Sequence, residues 1–208
     1  MQYHRRILRI LVSLGLTCAV GSFWFVEKSS AQLIAQDGSP VCDSQQILTD
    51  SLCEEDGLEP EEQKLYELIN EYRNQNGLPP IPLSPSLTLV ANRHVQDLER
   101  NIRDLTHGWS NCPYDAANSE TYKCMWNAPQ RLGTAYTGYG YENAHGGSGG
   151  YQATAASALE SWQGSSAHNA VILNQGMWQD KQWNALGIGM YGGYAVLWFG
   201  DESDPASR

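Results

Sequence analysis

The chain has no C-x-x-C pair and few cations. Without a C-x-x-C pair, a structural zinc site built from four thiolates is a poor fit to its cysteines. Gly146-Gly147-Ser148-Gly149-Gly150 spells G-x-S-x-G, but a flexible glycine-rich turn is not the strand-to-helix elbow that a serine hydrolase needs. Asp and Glu number 23 against 13 Lys and Arg, a formal net charge of −10. Such a surface repels phosphate backbones and anionic membranes, so nucleic acid is excluded as a partner. Acidity of this kind serves solubility. The glycine run Gly146–Gly150 lacks the lysine and the strand-to-helix setting of a phosphate loop.

What the chain does have begins with a targeting segment. His4, Arg5, Arg6 and Arg9 precede an apolar run from Ile10 to Val26, and Ser29 and Ala31 follow as small residues. This pattern predicts a cleaved secretory signal over residues 1–31. The run is also long enough to serve as an uncleaved membrane anchor, the one route to a membrane that the sequence offers. Thr17 before Cys18 is bulkier than lipoprotein processing accepts. Export implies a secreted location, extracellular or periplasmic. Beyond residue 31 four cysteines remain, Cys42, Cys53, Cys112 and Cys124. Their spacing suggests two local bridges, Cys42–Cys53 and Cys112–Cys124, although four cysteines permit three pairings.

Residues 32–59 read as a polar, acidic leader. A helix is predicted from Pro60, with Glu61 and Glu62 at its positive end and Leu65, Leu68, Ile69 and Tyr72 as its buried stripe. A second helix spans 86–103, and His94 on its inner face reads as a packed histidine with a hydrogen-bond partner. Residues 107–138 are loop-rich. A strand is expected at 139–144, a helix at 151–164 and irregular chain at 165–182. A hairpin then turns at Gly192-Gly193, and a frayed tail covers 202–208. The patterns alone give α+β.

Three polar residues stand beside small ones: His107 in LTHGWSNC, Glu142 in GYGYENAH and His168 in SSAHNAVILN. Imidazole and carboxylate groups bind borderline metals and move protons near neutral pH. With EEQKLYELINEYRNQNGLPPIPLSPSLTLVANRHVQDL, ALESWQGSSAHNAVILN and WNALGIGMYGGYAVLWFGD, these segments resemble the CAP superfamily (SCP domain) in order and context across residues 60–201. That family includes cysteine-rich secretory proteins, antigen 5 and pathogenesis-related proteins, and the resemblance is to its bacterial members. It implies a three-layer α/β/α sandwich with a small central antiparallel sheet, and a cleft holding His107, Glu142 and His168. The three form a candidate catalytic triad or a ligand set for Zn2+ or another divalent metal.

Two departures from the family pattern bear on that cleft. Tyr141 replaces the glycine before the glutamate, placing a ring at the cleft mouth or floor. Ser165 occupies the position of a second glutamate, and Glu160 lies on another side of its helix. The leading expectation is a metal-capable cleft for an extracellular lipid, glycan or protein. A zinc-dependent hydrolase of peptide or cell-envelope substrates, with Glu142 as base, is one alternative. An interaction module working through loops 108–138 is another. A Ser165 or Ser166 dyad with His168 lacks an orienting group.

Overall fold

The computed structural model describes residues 41–49 and 52–207, all within the unit Gln32–Arg208. The segment expected to direct export, residues 1–31, lies outside the described residues, as do residues 32–40 of the leader. Among the described residues no helix is long and apolar enough to cross a membrane.

Helix α1, Pro60–Gln75, opens with proline at its first position. The Glu59 N–H donates to Glu62 Oε2 at 2.8 Å and closes a capping box. Leu65 and Ile69 are fully buried on the predicted stripe. Glu62 is buried as well, where it also accepts from the Met190 N–H. Burial raises its carboxyl to about 7 in spite of those two donors. Helix α2, Pro85–Asp97, is capped by Ser84, whose Oγ accepts from the Leu87 N–H at 3.0 Å. It continues into a π turn, Leu98–Ile102, which ends at Arg103 with φ +59°.

Short helices α3, Lys123–Trp126, and α4, Ala128–Arg131, interrupt the stretch expected to be loop. Strand β1 is Tyr141–Gly146 and helix α5 is Ala155–Gly164, each starting a few residues after its predicted bound. Residues 165–182 are not irregular throughout. Helix α6, Ser166–Ile172, occupies their first part and carries His168. Seven residues are too few for an amphipathic period to show in sequence.

Strands β2, Ala185–Tyr191, and β3, Tyr194–Gly200, form the expected hairpin. The antiparallel sheet has the order β1-β3-β2. Its central strand β3 is buried along its whole length, which is why both of its faces are apolar. Ala195, Leu197 and Phe199 join Leu65, Ile69 and Trp162 in one core. Tyr194, Val196 and Trp198 join Leu87, Val90 and Val95 in the other. The sheet is thus sandwiched between α1, α5 and α6 on one face and α2 on the other, as the resemblance implied. Each fully buried Leu or Phe in these cores contributes roughly 2–3 kcal/mol.

The described part of the leader is fixed, and so is the tail, expected to be frayed. Cys42–Cys53 and Cys112–Cys124 are the disulfides. The first staples the described part of the leader, where Ile47 is fully buried. Arg93 of α2 clamps both oxygens of Asp56 and donates to the Gln46 carbonyl. Arg100 donates to the Cys42 carbonyl and Asn101 to that of Ser44. At the other end of the chain, Asp204 is buried and accepts from both the Ser84 and Ser86 hydroxyls. The tail is therefore docked at the start of α2, where the helix N-terminus favours a carboxylate.

Candidate functional site at strand β1

Side chains alternate across β1, so Glu142 faces α2 while Tyr141 and Asn143 face the opposite layer. Glu142 is 6% exposed and lies beneath the turn that carries His107. One carboxylate oxygen contacts His94 Nδ1, and the other lies 2.7 Å from His107 Nδ1. Nε2 of His94 is 3.0 Å from the Gly108 carbonyl. Both nitrogens of His94 thus face oxygen atoms. The ring bridges Glu142 and the Gly108 carbonyl. It is fully buried against Trp109, with ring centroids 4.6 Å apart.

The electrostatics follow from this chain of contacts. Burial alone would push the Glu142 carboxyl up. His94 and His107 outweigh it and bring the group down to about 2. For His107, burial disfavours the charged ring, but the hydrogen bond and charge of Glu142 prevail and raise its pKa. His168 shifts the other way, lowered by burial and then by repulsion from His107. The two imidazoles therefore titrate apart.

His107 and His168 line one cavity of about 270 Å3, together with Leu105, Thr106, Tyr114, Ala116 and Ala144. Tyr114 meets His107 edge-on at 5.2 Å. The Cys112–Cys124 bridge restrains the loop that bears Tyr114 and Ala116. From the other layer, the Asn143 side chain donates to the His168 carbonyl at 3.0 Å, tying α6 to β1. Nδ1 of His107 is engaged by Glu142, so Nε2 is the nitrogen left for a ligand.

Of the three residues singled out in sequence, His107 and Glu142 are in contact and His168 shares the cavity. His94 belongs to the same cluster. Its reading as a packed, hydrogen-bonded histidine holds, but its partner is the site carboxylate. Tyr141 is not at the cleft. It points away from Glu142 and packs edge-on against Trp178 at 5.3 Å. Glu160 is exposed and lines no part of this cavity, and Ser165 brings no carboxylate to it. Neither Ser165 nor Ser166 hydrogen-bonds His168. Trp109 and Tyr136 are buried core residues, whereas Tyr139 and Tyr151 are exposed.

Among the described residues, no three His, Cys, Asp or Glu side chains are grouped to hold a metal ion. Glu142 has both oxygens on imidazoles, which leaves two nitrogen donors where a catalytic zinc site ordinarily has three protein ligands. The residues as arranged do not fit a resident zinc.

Comparison with known proteins agrees with the architecture. The sequence model of the cysteine-rich secretory protein family, CAP, matches residues 66–179, more than half of the chain. No curated protein matches. An extracellular protein containing an SCP domain from Bacillus anthracis str. Ames superposes with a TM-score of 0.53 at 20% identity, covering 68% of this chain and 40% of that one. A cysteine-rich secretory protein from Staphylococcus aureus subsp. aureus Mu50 gives 0.45 at 20% identity, covering 68% and 39%. The chain thus spans about two-fifths of the length of these two structures. The chain belongs to the cysteine-rich secretory protein (CAP) family.

Proposed function

We propose that this is an exported binding protein whose β1 cleft takes a small extracellular ligand. The observation that carries this reading is the grip of Glu142 on His107. A buried carboxylate fixes Nδ1 and orients Nε2 as the polar contact of a largely apolar cavity. A few placed polar groups in an apolar recess are what a small-molecule site needs. About 270 Å3 suits a small molecule or one group of a larger lipid or glycan. Leu105, Tyr114, Ala116 and Ala144 would hold its apolar part, and His107 and His168 a hydroxyl or carboxyl. Two disulfides and the signal-like start support export.

The His107→Ala/His168→Ala double variant tests this. Both side chains are partly exposed and add little packing, and Glu142 keeps His94 as a partner. The fold should therefore hold, at a cost of about 1–3 kcal/mol for the partner lost with His107 and less for His168. A library of small hydroxyl- and carboxyl-bearing apolar fragments, screened by NMR, should perturb Tyr114 and both histidines in the native protein. The same fragments should bind the variant at least roughly tenfold more weakly. Equal binding by the two proteins, or no perturbation at these residues, would remove the cleft as the binding site.

A further inference from the structure

A second site lies away from the cleft. Arg73, near the end of α1, is only 3% exposed. Its Nε donates to the Pro79 carbonyl at 3.0 Å, and its Nη1 donates to the Ile172 carbonyl and to Asn174 Oδ1. Nη2 has no partner among the described residues. No carboxylate among them lies within ion-pair distance of this guanidinium either. Buried cations ordinarily have a counter-charge. Arg73 instead lines a cavity of about 720 Å3. Burial lowers its pKa to about 10, the sign of a charge that lacks compensation.

The walls around Arg73 narrow the chemistry of a ligand. Leu78 and Pro80 give short apolar surfaces, while Gln179, Gln182 and Asn184 present amides. A long acyl chain finds too little apolar wall. Trp183, the aromatic of this first cavity, is 5% exposed and donates its N–H to the Val171 carbonyl, so beside Arg73 there is no face for a sugar to stack on. The exposed ring of the groove, Tyr139, lies in the third cavity, which does not include Arg73. Two further cavities, of about 480 and 360 Å3, continue from the first through shared lining residues. Lys181 borders all three. The second includes Met177, 85% exposed and able to adapt to varied side chains. Amides line the first two cavities, and Asp180, Asp201 and Glu202 add acidic positions along the run. An elongated groove of this kind fits an extended backbone that meets Arg73 at one end. We propose that this groove binds a peptide, with a carboxylate of the peptide on Arg73.

The proposal is independent of the β1 cleft and is tested separately. The probes are pooled N-acetyl hexapeptides without Asp or Glu, made once as free acids and once as C-terminal amides. A third pool has amide ends and internal Asp or Glu. Binding is read on the full secreted protein from the Trp183 indole resonance. The free-acid pool should bind at least roughly tenfold more tightly than the plain amide pool. Comparable binding by the third pool would keep the carboxylate on Arg73 and move its source to a side chain. Arg73→Gln should abolish the preference for acid over amide. Because that change also frees three carbonyl and amide acceptors, Gln182→Trp serves as the second variant. Gln182 is exposed and makes no hydrogen bond, so filling the groove there should block binding with the melting temperature unchanged. Equal binding of acid and plain amide pools, or no peptide binding by the folded protein, would overturn the proposal. So would displacement by a fatty acid or an acidic sugar where peptides fail.

Discussion

Glu142→Gln should lower the unfolding free energy by about 3–5 kcal/mol, read as a fall in the denaturant midpoint. The carboxylate is buried between two donors, His94 and His107. An amide can accept from one of them but turns its NH2 toward the other. It also removes the negative charge that the fully buried His94 ring faces. The acid limb gives an independent reading. The folded carboxyl ionises near 2, against an ordinary value of 4.5. Its contribution is therefore complete above pH 4.5 and is lost as the pH falls toward 2. That difference corresponds to roughly 3 kcal/mol. Stability of the native protein should fall across that window, and the variant should lack this part of the loss. His107 behaves in the opposite sense. Its raised pKa means that its contribution is complete below 6.5 and is lost as the pH rises through the folded value. A variant as stable and as acid-sensitive as the native protein would show that Glu142 contributes nothing to the fold.

A second large effect is expected on β2. Gly187 and Gly189 face α2, and the helix backbone lies directly on them. A Cβ built on Gly187 would sit 2.1 Å from the Leu87 carbonyl carbon, and one on Gly189 would sit 2.4 Å from that of Ala91. These contacts are with backbone, not with flexible side-chain ends, so the helix would have to move as a body. Gly187→Val or Gly189→Val should cost more than about 4 kcal/mol or prevent soluble expression. The displaced helix carries His94 and would disturb the cleft as well. Gly164→Ala is the control. No atom lies within 4 Å of a Cβ at that position, and the melting temperature should hold. A soluble Gly187→Val protein with a near-native melting temperature would mean that α2 does not rest on β2 in this way.

Much of this architecture is legible in the sequence. The α1 stripe through Leu65 and Ile69 and the hairpin around Gly192-Gly193 are local patterns, and each lies where its period puts it. The two-faced apolarity of β3 marks it as the central strand. Other features depend on partners distant in sequence. His94 and Glu142 are 48 positions apart, and no periodicity links them. Arg93 looks like a solvated helix residue until the leader folds over α2 and presents Asp56. Asp204 looks like part of a frayed tail because its partners, Ser84 and Ser86, lie about 120 positions earlier. The orientation of Tyr141 follows from strand alternation once Glu142 is fixed toward α2. Its neighbour Trp178 comes from residues 165–182, which sequence reading leaves without structure.

The central claim is that Glu142 holds His107 by Nδ1 and leaves Nε2 for a ligand. Long-range proton–nitrogen correlation of the His107 ring, followed between roughly pH 5 and 9, tests it most directly. The expected result is a neutral ring with its proton on Nδ1 and a titration midpoint above 6.5. A neutral ring with its proton on Nε2, or a midpoint at or below 6.5, would contradict the claim.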